Sequence, residues 1–539
     1  MGPRFMHRFA HRVAARGLAL GLALAACPQT PAQASSFSEL HEDDWSLQAL
    51  QNLAERYGCI QDQSLQSLHG GSRLTRYDAA ALLNSCLPRI NERTDQLKHL
   101  LEEFSNELAT LKDKLTATES RLDELSALQF SPTTRLRVLT RTALGAVQYS
   151  GNQIDTGANT WGKGKGSIDL RNALTYNFDI MMFVDTSTTG KDLLRTILRV
   201  GNFGKSAFGV APSITSNPVP LAQLDEGFEE PSGGIGINRL YYLTEINRYI
   251  SVAVGPRIRQ NDALPVWPTI YAKPGTELLL KIFTQAGAPS AYTLLIGPGG
   301  GLIFKDHRSP TGWSAGFNYI ATDGQRGDSS LGGIGTAGSA ATAMAQASYT
   351  AKRWNISLAA SQNGPNVRQD GTNYWRTLQP QSIKSRSNIG NTQALSAAGY
   401  WQPLKPGLIP TISAGYGVNQ ANISNSSVVV NQQPLQSLQS AGWMVGLNWD
   451  SAFQTGNQIG FAAGQPTFVT AVNGRAANDG NYVFELYYKI VATNNIIFTP
   501  AIFYLSRPRG EETQAPGMAS SPSPTFDALG ALLEITLKL

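Results

Sequence analysis

Apolar positions recur along this chain with two different periods, and the change between them falls near residue 130. Before it the spacing is helical. In the stretch DDWSLQALQNLAERYG (43–58), Trp45, Ala49, Leu50, Leu53 and Tyr57 share one face, Asp43 or Asp44 is placed to cap, and Gly58 to stop. A second helix begins within LTRYDAAALLNSCL (74–87), where Thr75 sits at the cap and Asp78 at the capping-box position. From Ile90 the steps alternate between four and three: Ile90, Thr94, Leu97, Leu101, Phe104, Leu108, Leu111, Leu115, Thr118, Leu122 and Leu125. Nine of these eleven positions are apolar and the residues between them are rich in charge, the pattern of a coiled coil that needs a partner helix along its seam. The competing reading is a single amphipathic helix packed on a domain. A coiled coil makes the chain an oligomer and leaves the copy number open.

Beyond Ser131-Pro132 the period drops to two. At the C-terminus Leu529, Ala531, Leu533, Ile535, Leu537 and Leu539 alternate with Gly530, Leu532, Glu534, Thr536 and Lys538. The same rhythm marks 194–200, 354–360 and 484–490, with turn residues such as Lys405-Pro406-Gly407 and Asn494-Asn495 between such runs. Segments of about ten residues with one apolar and one polar face, aromatic near their ends, predict a transmembrane antiparallel β-barrel. At roughly 25 residues per strand and connection, the region holds about 16 strands, a size that encloses water. An open sheet in lipid would leave unpaired N–H and C=O groups costing several kcal/mol each, so closure is required. A soluble β-sandwich or β-helix is the competing reading. No inserted plug domain is evident, and a water-filled lumen is expected.

Composition sharpens this picture. Only 15% of the 539 residues are charged and 52 are Gly, against roughly a quarter charged in an ordinary soluble domain. No apolar run past the N-terminus approaches the ~18–20 residues of a spanning helix, which excludes a polytopic helical protein. The formal charge of +5 hides three unlike segments: +4 over residues 1–34, −7 over 35–129 and +8 over 130–539. With no basic tract, nucleic acid is not an expected partner.

The first segment reads as an export signal. Arg4, Arg8, Arg12 and Arg16 precede the apolar stretch 17–26, and Ala32-Gln33-Ala34 offers a small-x-small cleavage site. Leu24-Ala25-Ala26-Cys27 competes as a lipidation box. In an exported chain the remaining cysteines, Cys59 and Cys86, favour pairing, and a bridge closing about 28 residues would contribute roughly 3 kcal/mol. A two-cysteine metal site is the alternative, but no His or Cys lies at ligand spacing nearby.

Enzyme motifs dissolve on inspection. Gly312-Trp313-Ser314-Ala315-Gly316 matches a nucleophile elbow but lies in an alternating strand, and His307 is the last histidine of the chain. Gly333-Ile334-Gly335-Thr336-Ala337-Gly338 fits a dinucleotide fingerprint by letters only. His41, His69, His99 and His307 form no metal-ligand cluster, so neither a cofactor nor a bound metal is expected. For a channel the relevant chemistry is lumen charge. By parity Arg135, Arg137, Arg141, Arg195 and Arg199 face inward, opposite Leu136, Val138, Leu144, Leu194 and Leu198, because Arg at mid-depth on the lipid face would cost ~2–4 kcal/mol. They suggest a pore that attracts anions or binds sugar hydroxyls. The competing reading places many basic groups on loops or against lipopolysaccharide phosphates.

Two resemblances organise these observations. The helix, loop and Leu74-Thr75-Arg76-Tyr77-Asp78-Ala79-Ala80 resemble one S-layer homology (SLH) repeat, in which the Thr-Arg pair lies at the glycan site; this implicates Thr75 and Arg76. The usual Gly-Tyr-Pro-Asp-Gly turn is replaced by residues 61–67. The strings TSTTGKDLLRTILRVGNF (186–203), WQPLKPGLIPTISAGYG (401–417), GNQIGFAAGQPTFVT (456–470) and FELYYKIVATNNIIFTPAIFYLS (484–506) resemble cyanobacterial outer-membrane porins of the carbohydrate-selective, OprB-like family, often described as iron-uptake porins. The resemblance implies a signal peptide at 1–34, an SLH-like periplasmic domain at 35–88, a coiled-coil stalk at 89–129 and an outer-membrane barrel at 130–539. It further implies a homotrimeric channel for inorganic ions and small solutes, iron and carbohydrates among them. Its partners would be outer-membrane lipid and lipopolysaccharide, and peptidoglycan or its linked polysaccharide. A mainly structural link between outer membrane and wall is the alternative. Intact-mass measurement of the membrane-extracted protein is expected to place the mature N-terminus at Ser35; a lipid-modified Cys27 would refute that cleavage.

Overall fold

The computed structural model describes residues 45–57, 59, 75–87, 90, 95–113, 133–151, 154–155, 167–168, 173–209, 219–225, 227, 234–272, 279–380, 389–430, 432–511 and 526–539. Two compact units divide between Gln129 and Phe130. The leader at 1–34, the 61–67 loop and the stalk beyond 113 lie outside the described residues.

In the first unit, α1 (Trp45–Tyr57) buries Ser46, Ala49, Leu50, Leu53 and Ala54. Trp45, expected on that face, is instead 43% exposed and meets the ring of His99 edge-on at 4.6 Å. Helix α2 (Arg76–Cys86) starts with a reciprocal capping box: the Asp78 amide donates to Thr75 Oγ1, and the Thr75 amide donates to Asp78 Oδ2, each at 3.2 Å. This satisfies helix-end donors that would otherwise lack partners. A disulfide joins Cys59 to Cys86 across a Cα–Cα distance of 4.9 Å. The two helices alone cannot cover their apolar faces, and α3 (Asp95–Glu103) completes the core. Leu97, Leu100 and Phe104 are buried with Leu50, Leu53, Ala79, Ala80 and Leu83. The opening of the heptad seam is thus used within this chain, as an amphipathic helix packed on a domain would use it.

The second unit is a closed antiparallel β-barrel. Its sixteen strands are β1 (Thr134–Gly151), β2 (Thr175–Thr186), β3 (Asp192–Gly201), β4 (Gly236–Glu245), β5 (Ile250–Arg259), β6 (Ile296–Lys305), β7 (Gly312–Ala321) and β8 (Ala341–Thr350), then β9 (Trp354–Asn363), β10 (Ile389–Trp401), β11 (Thr411–Asn425), β12 (Ser437–Asp450), β13 (Gln458–Val472), β14 (Tyr482–Val491), β15 (Ile496–Ser506) and β16 (Phe526–Lys538). Each pairs with its successor, and β1 pairs with both β2 and β16, which closes the cylinder. Leu539 adds a last rung: its amide donates to the Val138 carbonyl at 2.9 Å, and the Val138 amide donates back at 2.8 Å.

Alternation sorts the side chains. Leu144, Trp313, Ile356, Leu358, Leu395, Phe484 and Leu486 face outward and are exposed, and alternate with less exposed neighbours such as Ala143, Ser314, Ser357 and Glu485, which are buried. At one rim Trp313, Tyr349 and Trp354 form a chain of rings with centroids 5.1 and 5.4 Å apart, the interfacial girdle expected of a membrane barrel. The same rim carries the short turns, such as 187–191 and 351–353, and the start of β1. Long connections gather at the other rim.

One of these long connections corrects the expectation of an empty lumen. Residues 260–272 and 279–295, between β5 and β6, turn into the barrel, and α4 (Lys281–Thr284) lies on the second stretch. Tyr271, Leu280, Phe283 and Met444 join Phe203, Phe208, Leu221 and Leu224 in one apolar core against Val483, Tyr487, Phe503 and Leu532 of the inner wall. Farther along, Ala286, Ala288 and Tyr292 pack on Met344, Ala359, Ala394 and Ala398. The backbone comes so near β11 that a Cβ on Gly415 would overlap the Ala286 carbonyl, and one on Gly417 would sit 2.6 Å from the Ala288 side chain. Glycine is the residue that permits that approach. Gly415→Val is therefore expected to expel the inserted segment and cost about 1–3 kcal/mol, as overpacking does. Outward-facing Ala414→Val is expected to be tolerated, and the heat-dependent mobility shift of the detergent-folded barrel on gels measures both.

Candidate pore lining and constriction

The charged groups of the inner wall are set by strand register. Arg141 on β1 lies opposite Asp179 on β2, and Asp185 on β2 opposite both Arg135 on β1 and Arg195 on β3. Arg195 forms a two-point bridge to Asp185, Nε–Oδ1 and Nη2–Oδ2 each 2.7 Å. Asp179 accepts from Arg199 Nε at 2.6 Å and from Arg141 Nη2 at 3.3 Å. Arg137 lies over the Phe183 ring, 4.2 Å from its centroid. Arg135 and Arg137 are exposed and Arg195 is half-buried. Arg141 and Arg199, expected at the water surface, are 0% and 5% exposed: the Asp179 carboxylate draws both guanidinium groups into the wall. Parity shows which face a residue takes and carries no information on what covers it.

Several inner residues had no signal beyond an isolated charge at an inward position. Arg239 on β4 bonds Asp262 at 3.0 Å, tying the inserted segment to the wall. Glu485 on β14 is buried and accepts from Tyr271 Oη at 3.0 Å and the Leu280 amide at 2.7 Å, so it anchors the segment from across the bore. At the long-loop side, residues 364–379 carry α5 (Asn373–Leu378), which buries Trp375 and Leu378. There Asp370 meets Lys281 Nζ at 2.8 Å and Gln285 Nε2 at 3.0 Å. Burial would raise the Asp370 carboxyl, but the charges of Lys281, Arg368 and Arg376 outweigh it and hold the group well below the ordinary carboxylate range. The Thr372 hydroxyl caps α5 by accepting from the Trp375 amide at 3.1 Å and donates to Asp479 at 2.6 Å. Together these contacts hold the two connections to each other and to the inner wall through polar and charged side chains. Among the described residues no group of three or more His, Cys, Asp or Glu could hold a metal ion.

The sequence of the barrel matches that of a known family over residues 244–519, the carbohydrate-selective porins of the OprB type. The chain belongs to this family. It is an outer-membrane porin, a channel protein and not an enzyme. Over 517 residues it is 27% identical to an uncharacterized protein of Nostoc, covering 89% of this chain and 82% of the relative. A Synechocystis protein, also uncharacterized, is 26% identical over 529 residues, covering 90% and 89%. Among solved structures, Pseudomonas putida OprB aligns with 76% of this chain and 94% of its own, at 12% identity and a TM-score of 0.45. An anion-selective porin from Comamonas acidovorans aligns with 76% and 99%, at 11% identity and 0.42.

In the porin's first unit, Thr75 and Arg76 are both engaged. Arg76 Nε donates to Glu107 at 2.8 Å, Nη1 to Glu103 Oε1 at 2.9 Å and Nη2 to the Glu103 carbonyl at 2.8 Å, and the guanidinium lies over the Phe104 ring at 5.2 Å. The bonds that Arg76 donates to Glu107 and Glu103 raise its pKa above the usual value. Burial pushes Glu107 up, but the bond from Arg76 outweighs it and leaves the carboxyl lowered.

The buried wall triad yields a prediction. Asp179→Asn removes the carboxylate shared by Arg141 and Arg199 and is expected to cost the barrel about 3–5 kcal/mol, as breaking a buried ion pair does. Asp185→Asn, at the more exposed pair, is expected to cost within about 1 kcal/mol. Thermal unfolding of the detergent-solubilised porin, followed by intrinsic fluorescence, measures the difference.

Proposed function

We propose that this porin passes inorganic ions, iron among them, and small polar solutes such as carbohydrates passively across the outer membrane. The observation that carries this reading is a closed sixteen-strand wall, apolar outside, whose inner face and inserted segment carry arginines, carboxylates and amides. Arg135, Arg137 and Arg195 are assigned to the lining at the short-turn side; Arg141 and Arg199 brace it from within the wall. Membership of a family described as carbohydrate-selective supports neutral sugars as solutes. The 35–88 region is assigned a periplasmic position and a tether to peptidoglycan or its linked polysaccharide, with contact at the Thr75–Arg76 corner of α2. There the Arg76 side chain keeps 26% exposure despite its glutamate bonds. A homotrimer joined beyond the described part of the heptad seam completes the proposal.

A mainly structural role, linking outer membrane to wall, is favoured by one observation: the apolar core inside the barrel fills part of the bore. Planar-bilayer recording separates the two readings. The purified full-length protein is expected to give stepwise currents, and proteoliposomes containing it to swell in neutral monosaccharide. Deleting 35–88 is expected to abolish co-sedimentation with peptidoglycan sacculi and leave conductance unchanged. Wall binding without any current would leave the anchor reading alone.

A further inference from the structure

Three neighbouring turns of the short-turn rim combine bare apolar tips with cations: 351–353 between β8 and β9, 402–410 between β10 and β11, and 451–457 between β12 and β13. Leu404, Leu408 and Ile409 on the second and Phe453 on the third are strongly exposed, Leu408 at 96% and Phe453 at 91%. Contacts with outward-facing rings set all three turns against the outer face. Trp401, Trp449 and Tyr488 lie on the same side of their strands as exposed Leu395, Val445 and Leu486. The Trp449 indole N–H donates to the Leu408 carbonyl at 2.9 Å, Phe453 meets Tyr488 edge-on with ring centroids 5.9 Å apart, and the Arg353 guanidinium lies over the Trp401 ring at 5.4 Å. Arg353 Nε also donates to the Gln402 carbonyl at 3.0 Å, tying the first turn to the second. Lys352 and Lys405 are exposed, and neither they nor Arg353 has a carboxylate partner among the described residues. Between Asp328 and Asp479 the sequence holds two carboxylates: Asp370 at the long-loop side and Asp450 on this rim, where it accepts from Gln458 at 2.6 Å. Of the flanking turns, 306–311 has its Asp306 bound to Arg248 at 2.6 Å and adds exposed Arg308, and 492–495 is uncharged. Three cations against one carboxylate leave the arc positive.

We propose that these turns dock on the inner phospholipid leaflet of the outer membrane, with Leu404, Leu408 and Phe453 entering its apolar edge and Lys352, Arg353 and Lys405 holding the phosphate of an anionic headgroup. Large apolar side chains gain by leaving water, and here they sit at the end of a lipid-facing wall, continuous with the surface that lipid covers. The stems of lysine and arginine lie along hydrocarbon while their charged heads reach the headgroup level. Each cation near an anionic lipid surface strengthens binding about fivefold. A zwitterionic headgroup brings its own ammonium against the same cations, so charge ranks an anionic phospholipid above it. A soluble anionic partner would meet the charge and leave Leu408 and Phe453 in water. This docking rests on the periplasmic position proposed above: β1 starts at the same rim, so that position turns the rim toward the inner leaflet.

The test is native mass spectrometry of the full-length porin in detergent containing equal amounts of phosphatidylglycerol and phosphatidylcholine. The natural protein is expected to retain phosphatidylglycerol about fivefold or more over phosphatidylcholine, the effect of at least one cation. The triple variant Lys352→Gln/Arg353→Gln/Lys405→Gln is expected to bring that ratio close to unity. Arg326→Gln, which removes an exposed cation from the long-loop connection 322–340, is expected to leave the ratio unchanged. Heat-dependent gel mobility reports that each variant has folded. A ratio near unity in the natural protein, or a preference that the triple variant keeps, overturns the headgroup site. Depth is read separately in phosphatidylglycerol vesicles, with a fluorophore carried by the Leu408→Cys variant; Cys59 and Cys86 are bonded to each other and do not compete for the label. Quenching by phosphatidylglycerol brominated along its chains supports the docking, and a label that stays unquenched refutes it. Neither readout depends on current or on orientation. Labelling of residues 35–88 from outside intact cells would instead refute the periplasmic position and, with it, the inner leaflet as the docking surface.

Discussion

Every structural feature of the barrel depends on the double pairing of β1. Its backbone is bonded to β2 on one side and to β16 on the other, and the terminal Leu539 continues the ladder at Val138. In hydrocarbon an unpaired N–H or C=O has no water to turn to and costs several kcal/mol, so a sheet of this length survives there only without edges. Closure then dictates the two faces. Once the cylinder is shut, alternate residues must accept lipid or the interior, and the apolar outer set with its aromatic girdle is the consequence.

Charge follows from the same closure. Arginines excluded from the lipid face need partners inside, and strand register supplies them at fixed places: Asp179 between Arg141 and Arg199, Asp185 beside Arg195. The wall is thereby made rigid and its field partly cancelled. Lys281, Arg368 and Arg376 belong instead to connections that turn inward, where their geometry is decided by how two loops meet.

The inserted stretches 260–272 and 279–295 make the interior more like a protein core than a pipe. They are accepted because the facing strands are cut down to Gly415 and Gly417, and because Glu485 and Ser413 offer acceptors to their backbone amides. Apolar packing of Phe283, Tyr271 and Leu280 against Tyr487 and Phe503 then holds them, and removing that surface from water contributes on the order of 25 cal/mol per Å². In the first unit apolar packing works the same way: Leu97 and Phe104 complete the core of α1 and α2.

The amino-acid sequence by itself determined the family, the closed antiparallel barrel and the alternation that sets Arg135, Arg137, Arg141, Arg195 and Arg199 on one face of the sheet, because these are properties of neighbouring residues. A two-residue period is legible one residue at a time, and Thr75 with Asp78 announces a helix start over only three positions. Burial of Arg141, the inserted segment, and the meeting of Lys281 with Asp370 were decided only in the tertiary structure. Tyr271 reaches Glu485 across 214 residues of chain, and Gln285 reaches Asp370 across 85. No local pattern encodes such distances. They arise when closure brings opposite walls within reach and the loops between them compete for the space that remains.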